Sequence, residues 1–242
     1  MKTFLIQGNE ITKCPEHDFG YAVFESIKYN NWYYNEGKFD CDIIYGTFDG
    51  LKCKECIPVG SVEFVLNFLK TQHNIQKVLP INIPEELDTF SNRKIERKYN
   101  IDTIIHDHDI IIKSMTGIKK YTDILYGNVI SNVPLDDYII SEVIAIESEW
   151  RCFVRNNRLL DIKCYSGNPF LVPSEDIIYA MIDSYKRSPN SYTLDVAISD
   201  KGKTSIIEIH NFFSCGLYGF NDYGNYLNML LDGINWEINK TI

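Results

Sequence analysis

Two acidic residues stand on neighbouring predicted strands in the last quarter of the chain. Apolar, β-branched runs predict strands over residues 192–199 and 204–209, joined by a glycine-containing turn. If these strands pair, Asp195 and Glu208 lie near each other, and His210 shares the face of Glu208. Two such carboxylates repel unless a cation lies between them, and Mg²⁺ is bound through carboxylates and substrate phosphates. A surface hairpin with scattered polar residues is the alternative, which the apolar neighbours on both strands disfavour.

Three cationic residues lie on, or at the end of, other apolar strands. Lys113 ends the run Ile110–Ile112, and Arg151 and Lys163 lie on the two arms of a predicted hairpin. A cation among apolar residues costs free energy unless an anion offsets it. A triphosphate would do so, with lysine as a point charge and arginine as a bidentate partner. For each residue alone, a side chain that reaches solvent at the strand edge is the other reading.

The elements that must position these residues are mostly strands with a few helices. Further strands are predicted at 42–46, 56–59, 110–113, 138–146, 150–155 and 158–165. Helical spacing follows Ser61, a candidate N-cap, and recurs over 175–187 and 222–234. This order favours an α+β fold with antiparallel sheets over a doubly wound parallel sheet. A small α/β unit comes first, with a boundary in the charged stretch 92–100.

Charge and hydropathy exclude two classes of partner. The formal net charge is −9 over 242 residues, and proteins that bind nucleic acid through phosphates usually carry a basic face. The short run Arg93–Lys98 contains an acid and is interpreted as a solvated helix face. No stretch approaches the roughly 20 apolar residues of a membrane helix. We therefore expect neither a nucleic acid nor a membrane as partner.

The cysteines and the remaining histidines give weaker signals. Seven cysteines in a chain whose first residues do not resemble an export signal predict reduced thiols in a cytoplasmic protein. Cys53 and Cys56 form a CxxC pair, but a zinc site would need a second pair at similar spacing. His106 and His108 form an HxH pattern just before the predicted strand that ends at Lys113. This pattern could bind a metal ion, but a turn is the favoured interpretation.

Taken in order, these segments resemble the ATP-grasp proteins, and more narrowly the clade named for one arginine and two lysines. The resemblance spreads over most of the chain, and its most specific parts are the stretches Glu149-Trp150-Arg151-Cys152-Phe153-Val154 and Ser214-Cys215-Gly216-Leu217-Tyr218-Gly219. The other matching segments are Ile57–Phe64, Ile112-Lys113, Lys119–Thr122, Ser141-Glu142, Tyr192–Val196 and Ile207-Glu208. The sequence contains no P-loop pattern and no GxSxG serine motif.

The resemblance implies a set of nucleotide contacts. Lys113 matches a strand lysine that contacts the phosphates, and Lys119 matches a second lysine in the following loop. The segment after Ser141 resembles the hinge that reads adenine, which places Glu142 and Val143 against the base. These four residues are therefore the expected ATP-binding set on the amino-terminal side of the Arg151 hairpin.

Two further cationic residues are given a nucleotide-binding and a catalytic role by the same resemblance. Arg151 and Lys163 stand where the clade places additional phosphate-facing groups. Either one would also stabilise the oxyanion of a tetrahedral intermediate once the phosphoryl group has activated the acceptor.

The metal ligands implied by the resemblance include one departure from the family pattern. Asp195 and Glu208 match the magnesium carboxylates. The usual asparagine two residues past the glutamate is His210 here, with Asn211 next to it. Imidazole is a poorer Mg²⁺ ligand than an amide oxygen. Either Asn211 takes the position, or His210 contacts phosphate or substrate, or the protein holds a single metal.

The resemblance implies an α+β, ATP-grasp fold in which ATP lies between two antiparallel-sheet subdomains. We expect a small amino-terminal α/β domain over residues 1–95 and the ATP-grasp domain over 96–242. The implied activity is ATP- and Mg²⁺-dependent ligation of a carboxylate to an amine through an acyl-phosphate, with a peptide or protein among the acceptors considered. The alternatives are an ATP-binding module without ligase activity and a phosphotransferase.

Overall fold

The computed structural model describes residues 2–34, 37–48 and 50–240. Strands and helices alternate irregularly along the chain. The strands are β1 (Lys2–Gln7), β2 (Phe39–Ile44), β3 (Ile57–Val59), β4 (Ile95–His106), β5 (Ile110–Ser114), β6 (Thr122–Leu125), β7 (Val129–Glu142), β8 (Ile146–Arg155), β9 (Arg158–Gly167), β10 (Ser191–Ser199) and β11 (Thr204–Asn211). The helices are α1 (Asp18–Tyr34), α2 (Val62–His73), a 3₁₀ helix (Glu85–Phe90), α3 (Glu175–Ser184) and α4 (Tyr223–Asn239).

A three-stranded parallel sheet forms the amino-terminal unit, in the order β2-β1-β3. The central strand β1 carries the continuous apolar run Phe4–Ile6, which is buried, as is usual where helices cover both faces of a parallel sheet. Helix α2 begins where predicted, because the Ser61 hydroxyl oxygen accepts a hydrogen bond from the backbone N–H of Phe64 at 3.2 Å.

Two four-stranded antiparallel sheets make up the rest of the sheet structure, as expected. The first has the order β4-β7-β5-β6 and is called the lysine sheet, because Lys113 lies on β5. The second has the order β11-β10-β8-β9 and is called the carboxylate sheet, because β10 and β11 carry Asp195 and Glu208. Asn82 links the two sheets: its carbonyl accepts from Ile209 at 2.7 Å, and its amide donates to the Ser114 carbonyl at 3.3 Å.

One row of side chains crosses the whole carboxylate sheet. The strand register pairs Glu208 with Asp195, Asp195 with Arg151, and Arg151 with Lys163. Residues paired across neighbouring strands point to the same face of a sheet. The register therefore brings two acids and two cations onto one face, with the two acids adjacent.

The opposite face of the carboxylate sheet is apolar and covered. Residues that alternate with the charged row, such as Cys152 and Leu194, pack in one buried cluster with Ile178, Met181 and Ile182 of α3. This period-2 alternation is what a sheet with one covered face requires. Because α3 covers the apolar face, the charged row points to the opposite side of the sheet.

The helix that closes the fold, α4, packs against α1 and joins the amino-terminal core. Leu227, Leu230 and Ile234 belong to the same buried cluster as residues of β1, β3 and α2. A Cβ at Gly233 would overlap the carbonyl of Phe212, so glycine permits this close approach. The division into domains 1–95 and 96–242 stays a prediction, and the hydrophobic core crosses it.

Several predicted elements differ from the observed ones. The strand predicted over 138–146 is interrupted, because β7 ends at Glu142 and β8 begins at Ile146. The charged run Arg93–Lys98, interpreted as a helix face, lies largely in β4 instead. Its side chains alternate: Arg97 bonds inward to Asp88, while three outer residues form ion pairs among themselves, namely Lys94, Glu96 and Lys98.

Helix α1 was not predicted, because its buried stripe is not apolar enough to read from the sequence. The stripe runs along one helical face and comprises Gly20, Val23, Ser26, Ile27 and Asn30. Cys53 and Cys56 are also not the free thiols expected, since the structure joins them in a disulfide with their Cα atoms 5.5 Å apart. No helix in the part of the chain that the structure describes is long and apolar enough to cross a membrane.

The packing of α3 leads to a testable expectation. Met181 is fully buried against the carboxylate sheet, so Met181→Ala removes contacts that the surroundings replace only in part. We expect the free energy of unfolding to fall by about 2–5 kcal/mol in urea denaturation. Tyr179→Ala, on the exposed side of the same helix, should change it by less than about 0.5 kcal/mol. Equal effects of the two changes would contradict the observed orientation of α3.

Candidate active site

Asp195, Glu208 and His210 form one compact group on the carboxylate sheet. Asp195 and Glu208 are register partners on β10 and β11, and His210 lies two residues farther along β11. His210 Nε2 lies 3.1 Å from Glu208 Oε1 and 3.3 Å from Asp195 Oδ2. One potential ligand atom from each residue lies within 4.8 Å of the others. The structure thus brings together the two predicted carboxylates and the histidine that departs from the family pattern.

Electrostatic coupling keeps all three groups charged. Burial alone would raise the pKa of Asp195, but Arg151 and His210 outweigh it and hold that pKa below its usual value. Burial is likewise outweighed at Glu208 by His210 and Lys113, which lower its pKa. At His210 burial opposes the charge, yet the two carboxylates raise its pKa to about 9. An imidazolium therefore lies between the carboxylates when no metal ion is bound.

Arg151 is fully committed to orienting Asp195. Its Nε and Nη2 donate to the two Asp195 carboxylate oxygens at 2.8 and 2.7 Å, and its Nη1 donates to the Gly216 carbonyl at 3.1 Å. The stacked rings of Tyr165 and Tyr218 lie beside the guanidinium, whose carbon is 5.7 and 5.1 Å from their centroids. Arg151 thus orients Asp195 in this structure, while its phosphate contact and catalytic role stay predictions.

Lys113 crosses from the lysine sheet to the carboxylate sheet. Its ammonium donates to Glu208 Oε2 at 2.6 Å, and both side chains are about three-quarters buried. Together with Arg151 and His210 it supplies three cations for the two carboxylates. The ammonium is within reach of any anion that binds beside Glu208, as the expected phosphate contact requires.

Two cavities meet at this group. An apolar cavity of about 330 Å³ opens between the two antiparallel sheets, and a polar cavity of about 400 Å³ lies on the other side of Lys113. Isoleucines dominate the apolar cavity, namely Ile83, Ile111, Ile124, Ile139, Ile144, Ile146 and Ile207. The polar cavity has Lys119, Arg151, His210 and Tyr218 in its wall. Lys113 and Glu208 line both cavities, together with Asn82 and Thr122, and these four residues form the common boundary.

The loop between β5 and β6 carries Lys119 into the wall of the polar cavity, and Asp136 holds that loop. The buried Asp136 carboxylate accepts from Ser114, Thr116 and Lys120, at 2.7, 2.5 and 2.9 Å. Burial would raise the pKa of Asp136, but these bonds outweigh it and lower the pKa strongly. The sequence did not single out Asp136, because the predicted strand began at residue 138 and its pairing with β5 is a property of the fold.

Two predicted site residues have side-chain partners outside the metal group. Asn211 is not brought to the metal group, because neighbouring residues of a strand point to opposite faces. Its amide donates to Glu237 at 2.5 Å and to the Leu79 carbonyl at 3.4 Å, so this geometry does not support its expected role as a metal ligand. Lys163 lies in the charged row, but its ammonium pairs with Asp161 at 2.9 Å and is part of neither cavity wall. Its expected phosphate contact is therefore not supported by this geometry.

The predicted adenine contacts of Glu142 and Val143 are likewise not supported by this geometry. Glu142 accepts from the Lys94 backbone at 2.9 Å and lies in the wall of a third cavity beside His108, on another side of the lysine sheet. The Val143 N–H is occupied by the Asp109 carbonyl at 3.2 Å. Their neighbours Ser141 and Ile144 line the apolar cavity instead. The shift follows from the end of β7 at Glu142, which the continuous strand prediction did not contain.

Glu149 lies in the wall of the site and was not among the site residues predicted from the sequence. It lines the apolar cavity with Tyr165, and burial together with nearby Asp195 raises its pKa. The signal was present in the sequence, since Glu149 lies two residues before Arg151 and hence on the same strand face. Among the described residues, Asp195, Glu208 and His210 are the single group with metal-ligand spacing, so the HxH pattern at His106 forms none.

The Arg151–Asp195 pair gives a stability test. The two side chains are 8% and 2% exposed, and Arg151→Met leaves a buried carboxylate without its bidentate partner. We expect a loss of about 3–5 kcal/mol in the free energy of unfolding at pH 7. The double change Arg151→Met with Asp195→Leu should recover much of that stability. A single variant as stable as the parent would show that the pair is not coupled as described.

The Asp136 contacts predict a pH-dependent effect. Asp136→Asn should lower the free energy of unfolding by about 1.5–3 kcal/mol at pH 7, because it weakens bonds to an ionised carboxylate. Since the pKa of this carboxylate is lowered on folding, the difference should shrink as pH falls below about 4. Urea unfolding across pH measures it, with Asp123→Asn in exposed β6 as the control. A pH-independent difference would argue against the ionised anchor.

Comparison with known proteins agrees with the fold. The family profile described as "ATP-grasp domain, R2K clade family 2" matches residues 90–229, which is more than half of the chain. No curated protein matches the sequence. Among solved structures, D-cycloserine synthetase is similar with a TM-score of 0.57 at 7% identity, over 97% of this chain and 100% of that one.

A second similar structure has the same overall extent. The D-alanine–D-alanine ligase of Bacillus anthracis has a TM-score of 0.53 at 10% identity, over 100% of this chain and 99% of that one. At such low identity the likeness shows the fold alone, and the fold agrees with the family match. The chain belongs to the ATP-grasp superfamily and, within it, to the R2K clade.

Proposed function

We propose that this chain is an ATP-dependent ligase that joins a carboxylate to an amine through an acyl-phosphate. One observation carries the proposal. The apolar cavity and the polar cavity share a boundary that includes Lys113 and Glu208, and Glu208 belongs to the predicted metal group. A nucleotide in the first cavity would present its terminal phosphate at the entrance of the second. The second cavity leaves room for an acceptor.

The apolar cavity suits a purine base and its ribose. Its isoleucine walls come from both antiparallel sheets, so a flat ring can bury both faces there. Ser141 and Ile144 line the cavity at the point where the chain crosses between β7 and β8. The Glu149 carboxylate in the same wall is placed to accept hydrogen bonds from ribose hydroxyls. We propose Glu149 as the ribose-binding carboxylate.

The phosphate end of the nucleotide belongs at the boundary between the cavities. Lys113 is already at Glu208, and Lys119 enters the polar cavity from the loop held by Asp136. Both lysines are donors without acceptor capacity, as suits phosphate oxygens. A divalent cation between Asp195 and Glu208 would offset charge as the γ-phosphoryl group moves. Mg²⁺ is the usual cation for such carboxylates, and two of the three donors fit it.

The reaction divides into two steps that this geometry can accommodate. An acceptor carboxylate oxygen attacks the γ-phosphorus, the bond to the β-phosphate oxygen breaks, and ADP leaves. An amine then attacks the acyl carbon, loses a proton, and expels inorganic phosphate. The protein contributes mainly by placing the reactants, since proximity alone can supply a large part of the rate. Arg151 serves this indirectly, because it fixes the orientation of Asp195.

The names of the two similar structures agree with this class of reaction, since one is a ligase and the other a synthetase. The acceptor site would be the part of the polar cavity beyond the phosphates. Its wall there includes Val62 at the start of α2, and Tyr218 and Cys215 in the segment after β11. We therefore propose that the amino-terminal unit contributes to acceptor choice.

Hydroxylamine provides a test that needs no knowledge of the amine. It traps acyl-phosphates as hydroxamates, so a panel of carboxylates can be screened with ATP, Mg²⁺ or Mn²⁺, and hydroxylamine. We expect one carboxylate class to give hydroxamate, ADP and phosphate in equal amounts. Lys113→Ala should lower the rate by at least about 100-fold, because it removes a preorganised cation at the phosphates. Lys98→Ala, on exposed β4, should leave the rate unchanged.

The other outcomes identify the competing functions. A phosphorylated product with ADP and no free phosphate would indicate a phosphotransferase. Nucleotide binding that depends on Lys113, with no turnover of any carboxylate, would indicate a binding module on the same fold. Full activity of Lys113→Ala would contradict the assignment of the site itself.

A further inference from the structure

We infer that the metal site of this chain binds Mn²⁺ in preference to Mg²⁺, because its third donor is the imidazole of His210. The inference deepens the proposed function and rests on its metal site. It concerns a feature in which this chain departs from the pattern it resembles. The histidine affects the choice of metal ion only if its imidazole can coordinate that ion.

His210 is placed as a ligand by the same strand that places Glu208. The two residues are separated by one position on β11 and therefore share a face, and Asp195 is the partner of Glu208 on β10. The imidazole Nε2 faces both carboxylates, at 3.1 and 3.3 Å. A cation that enters between these three atoms meets two oxygens and one nitrogen at once. Small shifts of each side chain would bring all three donors to ligand distance.

The asparagine that the family pattern suggested does not take the place of the imidazole in this structure. Asn211, the neighbouring asparagine, points to the other side of β11 and bonds to Glu237 of α4. The remaining neighbours of the group, Lys113 and Arg151, are cations and carry no lone pair for a metal. Among the groups found in contact with the two carboxylates, His210 is therefore the one that can lose a proton and offer a lone pair to a metal ion.

A donor set of two carboxylates and one imidazole distinguishes the two ions. Mg²⁺ strongly prefers oxygen ligands in strict octahedral geometry, whereas imidazole suits transition-metal ions. Mn²⁺ accepts both donor types and also takes the octahedral oxygen coordination that phosphates and water complete. Ions that favour tetrahedral sites would not fit a site that must leave several positions open to a triphosphate. Of Mn²⁺ and Mg²⁺, Mn²⁺ is thus the ion that better satisfies both the protein donors and the nucleotide.

Pulsed electron paramagnetic resonance tests the inference directly. Mn²⁺ is bound to the whole protein with a non-hydrolysable ATP analogue, and ¹⁴N modulation reports a directly coordinated imidazole. We expect ¹⁴N modulation in the parent protein, and its replacement by ¹⁵N modulation when the histidines are ¹⁵N-labelled. His210→Asn should abolish the signal, while His108→Asn, in a separate cavity, should retain it. The labelled parent protein makes the test independent of whether a variant folds.

Competition measures the preference itself. The ratio of Mn²⁺ to Mg²⁺ affinity, obtained by titration of the analogue complex, should fall by about tenfold or more in His210→Asn, the scale of effect expected for groups that tune a metal site. His108→Asn should leave the ratio unchanged. Bound Mn²⁺ without nitrogen coupling, an unchanged ratio, or no Mn²⁺ binding would each overturn the inference. Nitrogen coupling without hydroxamate formation would leave it standing and remove the ligase proposal instead.

Discussion

The arrangement of this site depends on the repulsion between two carboxylates that the sheet register forces together. Asp195 and Glu208 face each other across β10 and β11 in a largely buried position, where each ion pays several kcal/mol of desolvation. Such a pair is stable only with cations on both sides. Arg151 comes from the next strand, Lys113 from the other antiparallel sheet, and His210 from β11 itself. The requirement for charge balance thus ties separate elements to one point.

That point is also where the two cavities meet, which relates charge balance to function. A bound nucleotide and metal ion would replace the internal ion pairs with new ones. Phosphate oxygens would pair with the Lys113 ammonium, and the two carboxylates would bind the metal ion. The charged face is available for this because α3 covers the apolar face of the same sheet. Asp136 has a comparable role one layer away, where a buried carboxylate orders the loop that presents Lys119.

The sequence predicted the parts of the fold that alternation and turn residues specify. The hairpins that carry Arg151 and Asp195, and the cap at Ser61, follow from local patterns and were found as expected. Helix α1 was missed because Gly20, Ser26 and Asn30 occupy its buried stripe, so tertiary contacts and not hydropathy define that face. The side-chain orientations of Glu142 and Asn211 could not be predicted from the sequence. They depend on where a strand ends and on which partner each side chain contacts.

A crystal structure with a non-hydrolysable ATP analogue and Mn²⁺ would test the central claim most directly. The account predicts the adenine between the sheets against Ile139 and Ile146, the terminal phosphate beside Lys113, and the metal ion on Asp195, Glu208 and His210. An analogue bound in the cavity beside Lys94 and His108, or a metal ion away from the two carboxylates, would contradict it.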